Sequence, residues 1–188
     1  MKLQRKLLYE TRDRLLFGAE LSYVDIVDIA KQNIELFLES ESDLSIPKLS
    51  RYILDNISYT IDKRALKSFD NLDDKELIRK NLLDIVMIGL KEQEKRLGDK
   101  EEMTDFMRVA TLQAIDDAWV EEVDYLQQLQ SAVSGRATAQ RNLVYEYHKE
   151  ALHTFRLMEQ EIKRNVVRNI LLSEVTYDDE HKMHILYP

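Results

Sequence analysis

The chain has 188 residues, of which 44% are hydrophobic and 33% charged, and its formal net charge is -8. The acidic balance argues against a nucleic-acid partner, which needs a basic face to displace phosphate counterions. Because the sequence has no cysteine, disulfides, thiol catalysis and thiolate zinc sites are excluded. Only four glycines and two prolines occur, which favours long helices and predicts an all-α fold.

The first part of the chain predicts three helices. Apolar residues recur at helical spacing over residues 2–17, and Gly18 supplies a stop or kink. A second helix is expected to start at Ser22 as its N-cap. Its apolar residues cover a face that is broad enough to pack on two sides. After a loop, Pro47 suits the first turn of a short helix that reaches Leu54.

The middle of the chain gives a mixed pattern. Residues 56–72 show no clean helical or strand period and are predicted to be irregular. Asp73 is expected to cap a strong helix that ends before Gly98, a natural C-terminal cap. Its apolar run, residues 82–90, is interrupted by an aspartate and is far short of a bilayer span. With no signal-peptide pattern at the start, we expect neither secretion by a signal of its own nor a spanning anchor.

The last part is the most regular. Two long segments, about 101–129 and 144–172, carry apolar stripes spaced by three and four residues. The stripe of the first segment comprises Phe106, Val109, Leu112, Ile115, Trp119, Val123, Leu126 and Leu129. The stripe of the second comprises Tyr147, Ala151, Phe155, Met158, Ile162, Val166 and Ile170. A short polar break over 131–142 joins them, so the pair is expected to form an antiparallel hairpin.

Within this hairpin, the expected core consists of Leu112, Ile115, Trp119, Tyr147 and Phe155. Trp119 is the only tryptophan and is interpreted as a core anchor. A strict alternation from Trp119 would bury Glu122; we expect the stripe to drift, so that Val123 takes the seam and Glu122 lies at the edge. Beyond the hairpin, residues 174–188 lose the helical period and predict an extended segment or disorder.

Catalytic and metal-binding patterns are weak. Glu150-x-x-His153 is the one match to the metal motif of di-iron bundles, which need it on two helices, so a solvated helix face is the ordinary interpretation. His181-x-x-His184 would bind a metal weakly at best. No phosphate-binding glycine loop or nucleophile elbow occurs. The chain alone is therefore not expected to be an enzyme, and we assign it no catalytic, cofactor or metal residues.

The connection between the two long segments is basic and built of small residues, on an otherwise acidic chain. A solvated loop explains this composition. A projecting contact element on a rigid stalk explains it as well. The contact residues in that second interpretation are Arg136, Ala137, Thr138, Ala139, Gln140 and Arg141.

Two segments resemble the SecA family of preprotein translocase motors. The run 112–119, LQAIDDAW, is similar to that family's Leu-Gln, spaced Asp and Trp, and the similarity continues through RATAQ at 136–140 to Glu146-Tyr147. In the family this region is the two-helix finger. Residues 4–13, QRKLLYETRD, resemble the start of the family's helical scaffold, and the middle of the chain falls where the helical wing is found.

The resemblance implies a domain plan: scaffold helix at 1–42, wing-like subdomain at 43–98, two-helix finger at 99–173 and a C-terminal tail at 174–188. It also implies a C-terminal part of a longer cytoplasmic protein that lies peripherally at the inner face of the cell membrane. Its motor domains bind ATP and Mg, and the fingertip contacts a SecY-type channel and an unfolded preprotein. A homodimer is possible on the same grounds.

Two departures from the family pattern point to an accessory paralogue of a Gram-positive bacterium. Thr138 stands where the fingertip usually has a Tyr, and Glu122 where the family has a His. The cysteine-rich zinc tail of many members is also missing. Two alternatives to the transport role stay open: a free-standing helical adaptor or dimerisation module, and a metal-dependent bundle enzyme.

Overall fold

The computed structural model describes residues 2–17, 21–61, 69, 71–135, 143–180 and 182–188. Within these ranges the elements are α1 Lys2–Leu16, α2 Tyr23–Ser40, α3 Ile46–Asn56, α4 Lys75–Leu97, α5 Lys100–Gly135, α6 Leu143–Leu172, β1 Glu174–Tyr177 and β2 Met183–Leu186. The predicted all-α fold class is confirmed. The one addition is a small antiparallel sheet, in which Val175 pairs with Ile185, so the tail is extended.

Local signals explain where α2 begins. The Ser22 side chain accepts a hydrogen bond from Asp25 N at 3.3 Å, and the Asp25 carboxylate accepts one from Ser22 N at 2.8 Å. This reciprocal capping box satisfies two amides at the helix start. Ser22 is therefore the N-cap that the sequence predicted. The buried line of α2 packs against both α4 and α6.

The start of α4 corrects the sequence-based prediction by one residue. Asp74, not Asp73, is the N-cap, and its carboxylate accepts a hydrogen bond from Leu77 N at 3.0 Å. The reason is geometric, because a capping side chain bonds the amide two or three positions on, and α4 starts at Lys75. At the other end Gly98 has φ 102°, a conformation that costs glycine little.

Helices α5 and α6 form the predicted antiparallel hairpin. Side-chain hydrogen bonds cross it, and their positions on α6 descend as those on α5 rise: Asn169 to Ala110 O at 3.2 Å, Thr154 to Glu122 at 3.0 Å, and Tyr125 to Glu150 at 3.1 Å. The predicted break after residue 130 is wrong, since α5 continues to Gly135. Small polar residues do not stop a helix by themselves, and Ser131 bonds back to Gln127 O at 3.0 Å.

Two groups of buried side chains hold the helices together. The larger core joins α2, α3 and α4 to the first half of α5 and the last turns of α6, and it contains Leu82, Phe106 and Ile170. The smaller core lies where α1 meets the hairpin. On α5 the predicted stripe is partly out of phase: Val109 is 40% exposed, while Ala110 and Ala114 are buried. Alanine at these positions lets neighbouring helices approach closely, which a pattern read from large apolar residues misses.

Candidate functional site: the joint between α1 and the hairpin

Helix α1 is attached to the hairpin by the smaller core. Each helix contributes two buried side chains, which are Leu8 and Leu15 of α1, Ile115 and Ala118 of α5, and Phe155 and Met158 of α6. Leucines seven residues apart lie on the same face of a helix, which is why α1 can place both against the hairpin. The three helices therefore share one apolar contact, which we call the joint.

An ion pair crosses the edge of the joint. The Arg12 guanidinium donates from Nε to Asp116 Oδ1 at 2.7 Å and from Nη2 to Oδ2 at 3.0 Å. Its hydrogen bonds to Asp116, and then the carboxylate charge, raise the pKa of Arg12. Two parallel hydrogen bonds from a planar group constrain direction as well as distance. This pair therefore restricts how α1 can rotate and slide on α5.

Further contacts extend the joint along α1. The rings of Tyr9 and Trp119 meet edge to face, with centroids 6.4 Å apart and planes at 83°. The Arg5 guanidinium lies 5.0 Å from the centre of the Tyr9 ring. Nearer the start of α1, Gln4 Nε2 donates to Ala151 O on α6 at 2.9 Å. The joint thus combines an apolar core, an ion pair, an aromatic pair and a side-chain-to-backbone hydrogen bond.

The two sequence segments that resemble the SecA family meet at this joint. Gln4, Tyr9 and Arg12 come from the first segment, while Asp116 and Trp119 come from the second. The side chains of Arg12 and Asp116 bond to each other across a sequence separation of 104 residues. The motif residues are therefore partners in one structural contact.

The residues predicted to form the finger core divide between the joint and its surroundings. Ile115 and Phe155 are buried in it, and Leu112 and Trp119 are partly buried against it. Tyr147 is half-buried and contacts the ring of His148 at 5.8 Å, away from the joint. The predicted fingertip lies outside the described residues: Arg136, Ala137, Thr138, Ala139, Gln140 and Arg141.

Glu122 occupies a position that the sequence analysis assigned wrongly. It is 5% exposed at the seam between α5 and α6, while Val123 is only half-buried. Burial raises the pKa of the Glu122 carboxyl above its ordinary value, and the hydrogen bond from Thr154 opposes that shift. The strict alternation from Trp119, which places Glu122 at the seam, was the correct signal. It was set aside because carboxylates are seldom buried without a charged partner.

The possible metal ligands that the structure describes meet at most in pairs. Glu150 accepts a hydrogen bond from Tyr125, and His153 is exposed on the same helix. In the tail, His184 Nε2 lies 2.9 Å from Asp178 Oδ2, while His181 is outside the described residues. Over the ranges that the structure describes, no three His, Cys, Asp or Glu side chains form a metal-binding group. In those ranges, too, no helix is long and apolar enough to cross a bilayer.

Comparison with known proteins identifies the family. Residues 1–174 match the model of the SecA Wing and Scaffold domain. The chain belongs to this SecA family. It is 38% identical over 191 residues to protein translocase subunit SecA 2 of Streptococcus agalactiae serotype V, and 34% identical over 188 residues to the SecA 2 subunit of Staphylococcus aureus strain Newman.

Both alignments cover 100% of the chain but 23% of the relative. The chain therefore spans about a quarter of the length of the curated relatives it matches. The recognition made from residues 4–13 and 112–119 is confirmed, including the likeness to SecA 2 proteins of Gram-positive bacteria. All three helices of the joint lie within the residues that match the SecA Wing and Scaffold domain.

Proposed function

We propose that this chain is the wing and scaffold part of a protein-export motor. It would transmit ATP-driven movement of motor domains to a preprotein that enters a SecY-type channel. The family match and the names of the two relatives support this role. ATP and Mg would be bound by the motor domains of the same polypeptide, and this chain would carry no catalytic residue. The whole protein would act at the cytoplasmic face of the membrane, attached through the channel.

The joint supports a mechanical role for α1. A helix held by an apolar core alone could slide or turn, since such contacts are not directional. The Arg12–Asp116 pair adds a directional constraint on the side of the apolar core. Movement of α1 would therefore carry the hairpin with it as one body, as in other domain movements about a packed contact. This pair is the observation on which the proposal depends most.

The outer face of α1 supports contact with further parts of the protein. Leu7 of α1 is 50% exposed, and Phe17, the residue directly after α1, is 87% exposed, although both are large and apolar. The remaining motor domains of the same polypeptide would cover this face in our proposal. The same exposure also favours the alternative, a dimerisation module that pairs through α1. Sedimentation of the isolated chain distinguishes coverage by motor domains from dimerisation. A dimer that the substitution Phe17→Ser dissociates would favour the dimerisation module.

The joint is tested by exchanging its charges in the complete SecA-type protein that contains this sequence. Asp116→Arg places two like charges together and should lower the amount of preprotein transported for each ATP hydrolysed. The double variant Arg12→Asp with Asp116→Arg restores an opposite pair and should recover most of the coupling. Asp117→Arg is the matched control, because Asp117 is exposed and its carboxylate accepts hydrogen bonds from Gln113 of the same helix, not from α1.

Two results would contradict the proposal. Coupling could be unaffected by Asp116→Arg, or Asp117→Arg could reduce it by the same amount while the double variant fails to recover it.

The fingertip contact needs its own test. A photo-cross-linker at position 138 should label a stalled preprotein or the channel. Labelling of neither, in a protein that still transports, would remove the fingertip from the mechanism.

A further inference from the structure

A second feature lies away from the joint, on the side of the molecule formed by α2, α3 and α6. These helices border an open cleft with a volume of about 970 Å³. Its floor is apolar and includes the buried residues Ile34, Val86 and Val167. The rings of Phe37 and Tyr52 stack in its wall, with centroids 4.1 Å apart and planes at 15°. The cleft therefore offers apolar and aromatic surface to a ligand.

The cleft is lined by three arginines but only two carboxylates. Arg51 pairs with Asp55, with Nε and Oδ2 2.6 Å apart, and Arg164 pairs with Glu161. The remaining cation is Arg168, which is half-buried. Its Nε is buried without a hydrogen-bond partner, and its side chain forms no ion pair with any residue that the structure describes. Among the described residues that line the cleft, one positive charge is thus uncompensated, on a chain whose net charge is -8.

The chemistry of an unmatched arginine next to apolar surface narrows the choice of ligand. A guanidinium has a planar set of donors that matches a carboxylate with two parallel hydrogen bonds. The Arg168 side chain lines the cleft and has no ion-pair partner among the described residues, so a carboxylate bound in the cleft would neutralise its charge. The apolar floor needs covering at the same time, which a small inorganic anion cannot do. A peptide that carries a carboxylate among apolar side chains meets both requirements.

We propose that this cleft is a docking site for an acidic amphipathic peptide segment. A carboxylate of the segment would pair with Arg168, and its apolar side chains would lie on the floor beside Phe37 and Tyr52. Asp55 and Glu161 would repel the carboxylate little, because their own arginine partners already neutralise them. The proposal rests on the cleft alone and stands or falls independently of the transport role.

The test is an NMR titration of the 188-residue chain, labelled with ¹⁵N, with two capped hexapeptides. SLLELS carries the carboxylate, and SLLQLS replaces it by an amide of the same shape. SLLELS should shift amide signals of the cleft-lining parts of α2, α3 and α6, and SLLQLS should bind at least about fivefold more weakly, as expected for loss of a charge-assisted hydrogen bond. Signals of α1 should not change with either peptide.

Matched variants assign the effect to Arg168. Arg168→Gln should weaken binding of SLLELS at least about fivefold and leave binding of SLLQLS unchanged. Arg156→Gln is the control, because Arg156 is exposed on the same helix, is absent from the cleft lining and undergoes the same change of charge. If Arg168→Gln does not fold, Arg168→Lys keeps the charge but loses the planar pair of donors, and it should bind SLLELS with intermediate affinity.

Four outcomes would overturn the proposal. SLLQLS could bind as tightly as SLLELS, or neither peptide could shift cleft signals at millimolar concentration. Inorganic phosphate could produce the same shifts as SLLELS, which would make the cleft a general anion site. Cleft signals could also change with protein concentration in the absence of peptide, which would make a second copy of the chain the occupant.

Discussion

The buried carboxyl at the hairpin seam gives the sharpest prediction about stability. Glu122 is 5% exposed, and Thr154 is the only residue among those described that donates a hydrogen bond to it. Burying a leucine side chain at such a position is worth about 1.5–3 kcal/mol, and loss of the Thr154 bond costs about 1 kcal/mol. Glu122→Leu should therefore raise the free energy of unfolding by about 0.5–2 kcal/mol near pH 7. For a chain of this size, the midpoint of thermal unfolding should rise by about 1–8 °C.

Guanidinium unfolding followed by tryptophan fluorescence measures this change, since Trp119 is the only tryptophan and lies at the joint. Glu121→Leu is the matched control: Glu121 is exposed, so the same substitution should change the free energy of unfolding by less than about 0.5 kcal/mol. Equal effects of the two substitutions would refute the reasoning. So would a loss of stability in Glu122→Leu, which would mean that the carboxylate contributes more to the seam than its burial costs.

The same carboxyl predicts a dependence on pH. Its pKa is raised in the folded chain above the ordinary value of 4.5, so the folded state binds its proton more tightly than the unfolded state does. The wild-type chain should therefore lose stability as the pH rises from 4.5 through the folded pKa. The advantage of Glu122→Leu should grow over that interval and shrink again in acid. An advantage that is constant from acid to neutral pH would show that the raised pKa makes no contribution.

Two more predictions concern α4 and its end. Leu82→Ala should lower the free energy of unfolding by about 2–5 kcal/mol, because Leu82 is fully buried, whereas Ile88→Ala at a position 57% exposed should cost less than about 1 kcal/mol. Denaturant titration of both checks this, and similar losses would contradict the assigned face of α4. Gly98→Ala should cost about 1 kcal/mol in thermal unfolding, since φ is 102° and nothing lies within 4 Å of the added methyl group. No loss at all would mean that the turn can relax.

The helices themselves followed from the sequence to within a few residues, because long amphipathic patterns are dominated by local spacing. The stripe of α6 was predicted well: Ala151, Phe155, Val166 and Ile170 are all buried. On α5 the same method failed at Val109, since the helix turns alanines inward where other helices approach closely. Packing of small residues depends on the neighbours across the interface, which a single sequence does not contain.

The joint and the cleft were less accessible to sequence reasoning. The family resemblance named residues 4–13 and 112–119 separately, but no spacing rule says that Arg12 meets Asp116. Such contacts are set by the path of the whole chain. The cleft lies partly on α3, in the middle region that was assigned by position and without a motif. The sequence does not distinguish Arg168 from other arginines on a charged helix, because its lack of an ion-pair partner among the described residues depends on the fold.

The contact between Arg12 and Asp116 lies far from the C-terminal end of α5, so a rotation at this contact would displace that end by a larger distance. From Asp116 to Gly135 the helix continues without a break, which at 1.5 Å per residue is a rise of about 28 Å. A tilt of about 10° at the joint would sweep Gly135 sideways by about 5 Å, close to the rise of three residues of helix. A small rotation at the base is thereby converted into a stroke at the far end, and each additional turn of α5 beyond the joint lengthens that stroke in proportion.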